Sequence, residues 1–161
     1  MALAIALPTT IALAANRVDY SGKYLAERHK DTPSGSTDST IEVVQSEDNI
    51  EITKVELGKR TTSRCPFNGS EGDYTSPSGV SGKCKAQLKD KYLILESVVV
   101  TRPQPATSMR VHTKERWQLS ADAKTLTVKS DVDFPDVSRD VSAAVANELS
   151  ETRKYMRTDS Q

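Results

Sequence analysis

The sequence has no net charge, few rings and little sulfur: Lys+Arg and Asp+Glu each number 22, aromatics make up 5%, and there are two cysteines in 161 residues. Each shortage excludes something. Balanced charge argues against broad electrostatic capture of nucleic acid or of an anionic membrane. Basic clusters such as Lys59-Arg60, or Arg153, Lys154 and Arg157, therefore read as solvated faces. The two histidines, His29 and His112, come without partner ligands, and two cysteines with no histidine nearby are too few for a metal site. No metal or cofactor is expected. A serine nucleophile would want a setting such as G-x-S-x-G, which the chain lacks. That leaves Glu115 as the one candidate acid or base, and an enzyme is not expected.

The first fifteen residues, MALAIALPTTIALAA, carry no charged side chain and offer a small-x-small cleavage site at Ala12-Leu13-Ala14. They read as the remnant of a secretory signal or as an apolar N-terminal arm, too short and too broken by Pro8 for a membrane-spanning helix. Residues 16–161 then suit one domain. An apolar fraction of 36% fits a thin core built from two-faced strands.

From Tyr20 onward short β-type runs alternate with turn signals, the pattern of an all-β meander. Eight strands can be counted up to Phe134. Ile50 and Ile52 share a parity that Val55 and Leu57 break, which predicts a bulge near Thr53 and Lys54. The clearest strand carries Met109, Val111, Thr113, Glu115, Trp117 and Leu119 on one face and Ser108, Arg110, His112, Lys114, Arg116 and Gln118 on the other. Leu126, Val128, Ser130, Val132 and Phe134 repeat that alternation. Val137, Val141, Val145 and Leu149 then recur at a spacing of four, with Ser138 as an N-cap, which predicts a short amphipathic helix before a last strand in ETRKYMR.

Both cysteines sit at the ends of one turn-rich stretch, Cys65 to Cys84, whose interior has little apolar surface to order itself. With an export-like start, a disulfide joining neighbouring strands is the simplest reading, worth roughly 3 kcal/mol in the chain-entropy model. Two unrelated reduced thiols in a cytosolic chain is the alternative. Asn68-Gly69-Ser70 fits a glycosylation acceptor in a eukaryotic secretory host.

Gly22-Lys23-Tyr24, the run Glu115-Arg116-Trp117-Gln118-Leu119-Ser120 and Tyr155-Met156-Arg157 lie within or beyond three longer stretches, SGKYLAERHKD, TIEVVQSEDNIEITK and KERWQLSADAKTLTVKSDV. Together they resemble small exported bacterial lipocalin-like (calycin-type) barrels of undefined function. The resemblance implies an antiparallel up-and-down meander closed into an eight- or nine-stranded barrel, with a short helix before the last strand. It also implies an arginine of that strand, Arg153 or Arg157 flanking Tyr155, packed over Tyr24 to close the barrel floor. Two features depart from the pattern: Tyr24 stands where lipocalins proper have Trp, and the turn reads Asp122-Ala123 where Asp-Gly is usual.

On that frame the expected role is binding of a small apolar or amphipathic ligand, with Tyr24, Val111, Thr113, Glu115, Trp117, Val128 and Ser130 on the wall. Parity points Glu115 inward, where a charge needs a partner or a purpose. It is either a ligand-facing group or half of a structural pair with an arginine such as Arg28. The expected compartment is periplasmic or extracellular. The competing reading is a protein–protein module that presents the tethered loop 66–83 to an envelope partner or a protease.

Overall fold

The structure, a computed structural model, describes residues 17–27, 39–104, 107–138, 145–147 and 149–158, the side chains of 103, 104 and 107 excepted. Ten strands follow in order: β1 (Gly22–Ala26), β2 (Thr40–Gln45), β3 (Asn49–Glu56), β4 (Lys59–Pro66), β5 (Gly72–Thr75), β6 (Ser81–Lys89), β7 (Tyr92–Gln104), β8 (Thr107–Leu119), β9 (Thr125–Asp133) and β10 (Glu151–Arg157). Every strand pairs antiparallel with its successor, and β1 pairs with β10, so the meander closes into a barrel without an edge. The expected count of eight or nine strands is thus corrected to ten. The strand that raises it is β5, inside the segment 66–83. Four residues, GDYT, are too few to show a period against the turns on either side. Segment 66–83 is accordingly not one free loop but two turns, around 67–71 and 76–80, flanking a stave of the wall.

Two further expectations fail for instructive reasons. No bulge interrupts β3, whose pairing with β2 and with β4 runs unbroken through Thr53 and Lys54. The parity of Ile50 and Ile52 simply continues to Lys54, which points inward, while Val55 turns away and Leu57 is 70% exposed. Leu57 belongs to a two-residue turn with Gly58, both at positive φ (50° and 74°), the geometry that matches the twist of a tight hairpin. The disulfide Cys65–Cys84 is present, but it links β4 to β6, with β5 between them in the sheet order. The Cα atoms lie 5.5 Å apart, so the outer two strands converge where β5 begins. Gly72, the first residue of β5 and the partner of Cys84, permits this: a Cβ there would meet the Arg64 carbonyl oxygen at 1.9 Å.

Helical backbone is found at 145–147 and at 149, just before β10, with Val145 and Leu149 39% and 50% exposed. Residues 139–144 and 148 of the expected helix lie outside the described residues, as do the segment 1–15 and both Arg28 and His29. Among the described residues no helix is long and apolar enough to cross a membrane.

The interior is layered along the barrel axis. At the end that holds the Asp90-Lys91 turn, Tyr20, Ile41, Ile50, Ile52, Leu93, Trp117 and Leu126 are almost wholly buried and form a solid floor. Each buried aliphatic side chain there contributes about 1.5–3 kcal/mol of transfer free energy. The chain before β1 crosses beneath them. The Tyr20 hydroxyl accepts the Leu93 N–H at 3.1 Å and lies 2.9 and 3.1 Å from the carbonyls of Lys91 and Trp117. Gln45 ties the same segment down through the Tyr20 N–H (3.1 Å) and the Val18 carbonyl (3.0 Å). Arg157, not Arg153, stands over the Tyr24 ring, 5.5 Å from its centroid, and donates to the Ser21 carbonyl. Ala123 sits at φ 55°, a conformation in which its Cβ is sterically crowded and glycine is favoured.

Candidate functional site

Above the floor the same inward parity delivers polar side chains. On β3, β4, β7, β8 and β9 the residues following the floor positions are Lys54, Ser63, Ser97, Glu115 with Thr113, and Ser130. Higher still, Val99, Val111 and Val132 line the inner face of β7, β8 and β9, Val99 opposite Val111 and Val132 opposite Thr113. From floor to mouth the wall therefore reads apolar, polar, apolar.

Glu115 anchors the polar belt. One carboxylate oxygen accepts a hydrogen bond from Lys54 Nζ, and the other accepts the Trp117 indole N–H at 2.9 Å. The ammonium of Lys54 also lies 5.2 Å from the centre of the Trp117 ring, a cation–π contact. Side-chain exposures of 26% for Lys54 and 16% for Glu115 place the pair inside the wall yet within reach of water. A pair so placed keeps its Coulombic attraction without the full desolvation cost of a deep interior. Glu115 thus has Lys54 as a partner; Arg28, the arginine suggested for that role, lies outside the described residues. The parity of Ile50 and Ile52 extends to Lys54; the bulge expected from Val55 and Leu57 obscured that continuation.

Tyr74, the inward side chain of β5, completes the belt. Burial raises its phenol above the usual range, the Glu115 carboxylate adds to this, and a hydrogen bond with Ser97 partly offsets both. The hydroxyl therefore stays protonated and able to donate. Lys54, Ser63, Tyr74, Ser97, Thr113 and Glu115 line a hollow of about 40 Å³ directly above Cys65, Cys84 and Leu95. Glu96 also borders it, but its carboxylate pairs with Lys114 at 2.7 Å, and this neighbour is what holds it below the ordinary carboxylate range.

Nearby, Arg153 faces inward opposite Val128 and binds Glu56 and Glu151, the latter at 2.7 Å. Burial works against its charge, and the two carboxylates outweigh it. Tyr155 beside it is pushed up to about 12, mainly by burial and partly opposed by the charge of Arg153.

The residues expected to line a ligand wall divide between layers. Tyr24, Trp117 and Val128 belong to the buried floor, whereas Val111, Thr113, Glu115 and Ser130 stand in the half-buried upper part. Lys54, Ser63, Tyr74 and Ser97 were not foreseen. For Lys54 the signal existed as parity; for Tyr74 it required knowing that β5 is a strand.

A larger hollow of about 580 Å³ lies on the outer face of β5–β8, lined by residues that include Lys83, Lys85, Val98, Val100 and His112. Its charges satisfy one another across strands, Lys83 with Asp73 (3.1 Å) and Lys85 with Glu71 (3.7 Å). Val100 is 50% exposed, so this surface lacks the enclosure that a buried ligand requires. The inner belt is the better candidate despite its smaller volume.

No family model matches the chain, and no curated protein does. Among solved structures the chain resembles the REP1-NXSQ fatty acid transporter, with a TM-score of 0.53 and 16% identity over 88% of this chain and 97% of that one. At that identity the likeness is one of fold. It agrees with a closed antiparallel barrel.

Proposed function

We propose that this protein is an exported lipocalin-like barrel, residues 16–161, that binds a small apolar or amphipathic molecule in the upper half of its interior. The observation that carries this reading is the layering: a polar belt roofed by the buried Val99 and the half-buried Val111 and Val132, above a floor that needs no ligand to be filled. The fold shared with a fatty acid transporter supports the reading. So does the disulfide, which suits an oxidising compartment and hence export, with 1–15 as the signal remnant or arm.

The resting hollow of about 40 Å³ is too small for a ligand, for which several hundred Å³ is the usual scale. Binding therefore requires the side chains around the hollow to move apart and widen it. Val111, Thr113, Glu115 and Ser130 contact the ligand in this reading, and Tyr24, Trp117 and Val128 support them from below. The test is a native mass spectrum of the full chain secreted from a host, before and after incubation with lipid extract. A small-molecule adduct that denaturation releases is expected. A clean apo mass under both conditions overturns the reading.

A further inference from the structure

We infer that the belt selects an uncharged hydrogen-bond acceptor, such as the oxygen of an alcohol, ester or ketone on an apolar body, and discriminates against a carboxylate. This rests on the ligand-binding reading above and specifies the ligand's head. The belt is rich in donors. Lys54 has two N–H groups beyond the one it gives Glu115, and the hydroxyls of Ser63, Tyr74, Ser97 and Thr113 border the same hollow. Glu115, by contrast, already accepts from both Lys54 and Trp117. An entering acceptor oxygen can take the remaining Lys54 N–H groups as well as a hydroxyl, whereas an entering donor has hydroxyl oxygens or a carboxylate that is already engaged.

Charge decides the class of acceptor. Lys54 is the ammonium that borders the hollow, and Glu115 neutralises it in direct contact. The other bordering carboxylate, Glu96, is balanced by Lys114. An ionised head would surrender its hydration for a site with no net positive charge and would face the Glu115 carboxylate at close range. A neutral oxygen meets neither cost. The layering fixes the orientation as well: with the floor full, the head lies in the belt and the apolar body runs upward past Val99, Val111 and Val132. Glu115 is thus a specificity residue that acts by cancelling Lys54.

The test uses Trp117, the only tryptophan, whose indole N–H is bonded to Glu115. Its emission is followed while the full chain is titrated with dodecanol, methyl dodecanoate and dodecanoate at mildly alkaline pH. The alcohol and ester should bind at least about tenfold more tightly than the carboxylate. Glu115→Gln keeps an acceptor for Trp117 but releases the charge of Lys54, and should reverse the order. Lys54→Met, a second variant should the first not fold, should weaken dodecanoate further than it weakens dodecanol. A wild-type preference for dodecanoate, an unchanged order in Glu115→Gln, or equal losses in Lys54→Met overturns this inference alone. No saturable response to any of the three probes overturns it together with the ligand-binding reading.

Discussion

The two halves of this barrel are built from the same strands and the same alternation, yet they solve different problems. The floor removes apolar surface from water and satisfies its few polar atoms internally, as Tyr20 does with Leu93, Lys91 and Trp117. The belt keeps an ion pair and several hydroxyls at partial exposure around a small hollow. Stability therefore resides below and chemistry above, with Trp117 as the hinge between them: its ring is part of the floor, and its N–H belongs to the belt. The lesson is that one period-two pattern can encode both a core and a site, with the boundary set by where Ile52 gives way to Lys54 and Trp117 to Glu115.

The largest expected effect breaks that division at its base. Trp117→Ala should cost about 3–5 kcal/mol, read as a urea midpoint followed by circular dichroism, because it leaves a cavity amid rigid neighbours. Lys54→Met should cost only about 1–2 kcal/mol, since its pair is partly solvated. Replacing the pair together, Lys54→Met with Glu115→Leu, should recover most of that loss. If Lys54→Met proves as damaging as Trp117→Ala, the belt is structural and the division is wrong.

The shared inward face was legible from residues alone, but its division into floor and belt was not: Tyr24, Trp117 and Val128 were expected on the same ligand wall as Glu115. Strict alternation in β8 placed Val111, Thr113, Glu115 and Trp117 on one face correctly, because a long strand wet on one side leaves no other solution. The disulfide was legible from composition, but which strands it joins was not, since that depends on β5. A four-residue strand is specified by its neighbours through Thr62↔Thr75 and Thr75↔Ser81 pairing rather than by its own sequence. The partner of Glu115 escaped because it lies 61 residues away on β3, a contact set by closure of the sheet.

Alkaline pH sharpens the comparison next. Burial, opposed by the Leu93 hydrogen bond, lifts the Tyr20 phenol from 10.0 to about 12, and burial likewise lifts Tyr155 to about 12. A raised phenol favours the neutral form in the folded chain. Its contribution is fully present below pH 10 and is lost as the pH climbs from there through about 12. Urea midpoints should fall across that window, with phenolate absorbance rising together with unfolding. Tyr20→Phe should lower stability at neutral pH and flatten the alkaline decline. A decline just as steep in the variant would remove Tyr20 from the account.

The smallest effect concerns the turn at the floor end. Ala123→Gly removes a Cβ from a residue at φ 55° and should stabilise the barrel by about 0.5–1 kcal/mol, seen as a small rise in Tm with no change in ligand response. A change in the response of Trp117 to ligand would show that floor and belt are less separable than the layering implies.

Because Cys65–Cys84 bypasses β5, the chain from 65 to 84 is a closed covalent ring set into the wall. Peptide bonds within that ring are redundant for holding the polypeptide in one piece. A protease that cuts the turn at 67–71 or at 76–80 leaves two fragments still tethered and a barrel that separates only on reduction. New chain ends opened in those turns would fall where covalent continuity is already guaranteed, so the ring is the natural place for an insertion or a rearranged start and end of the chain.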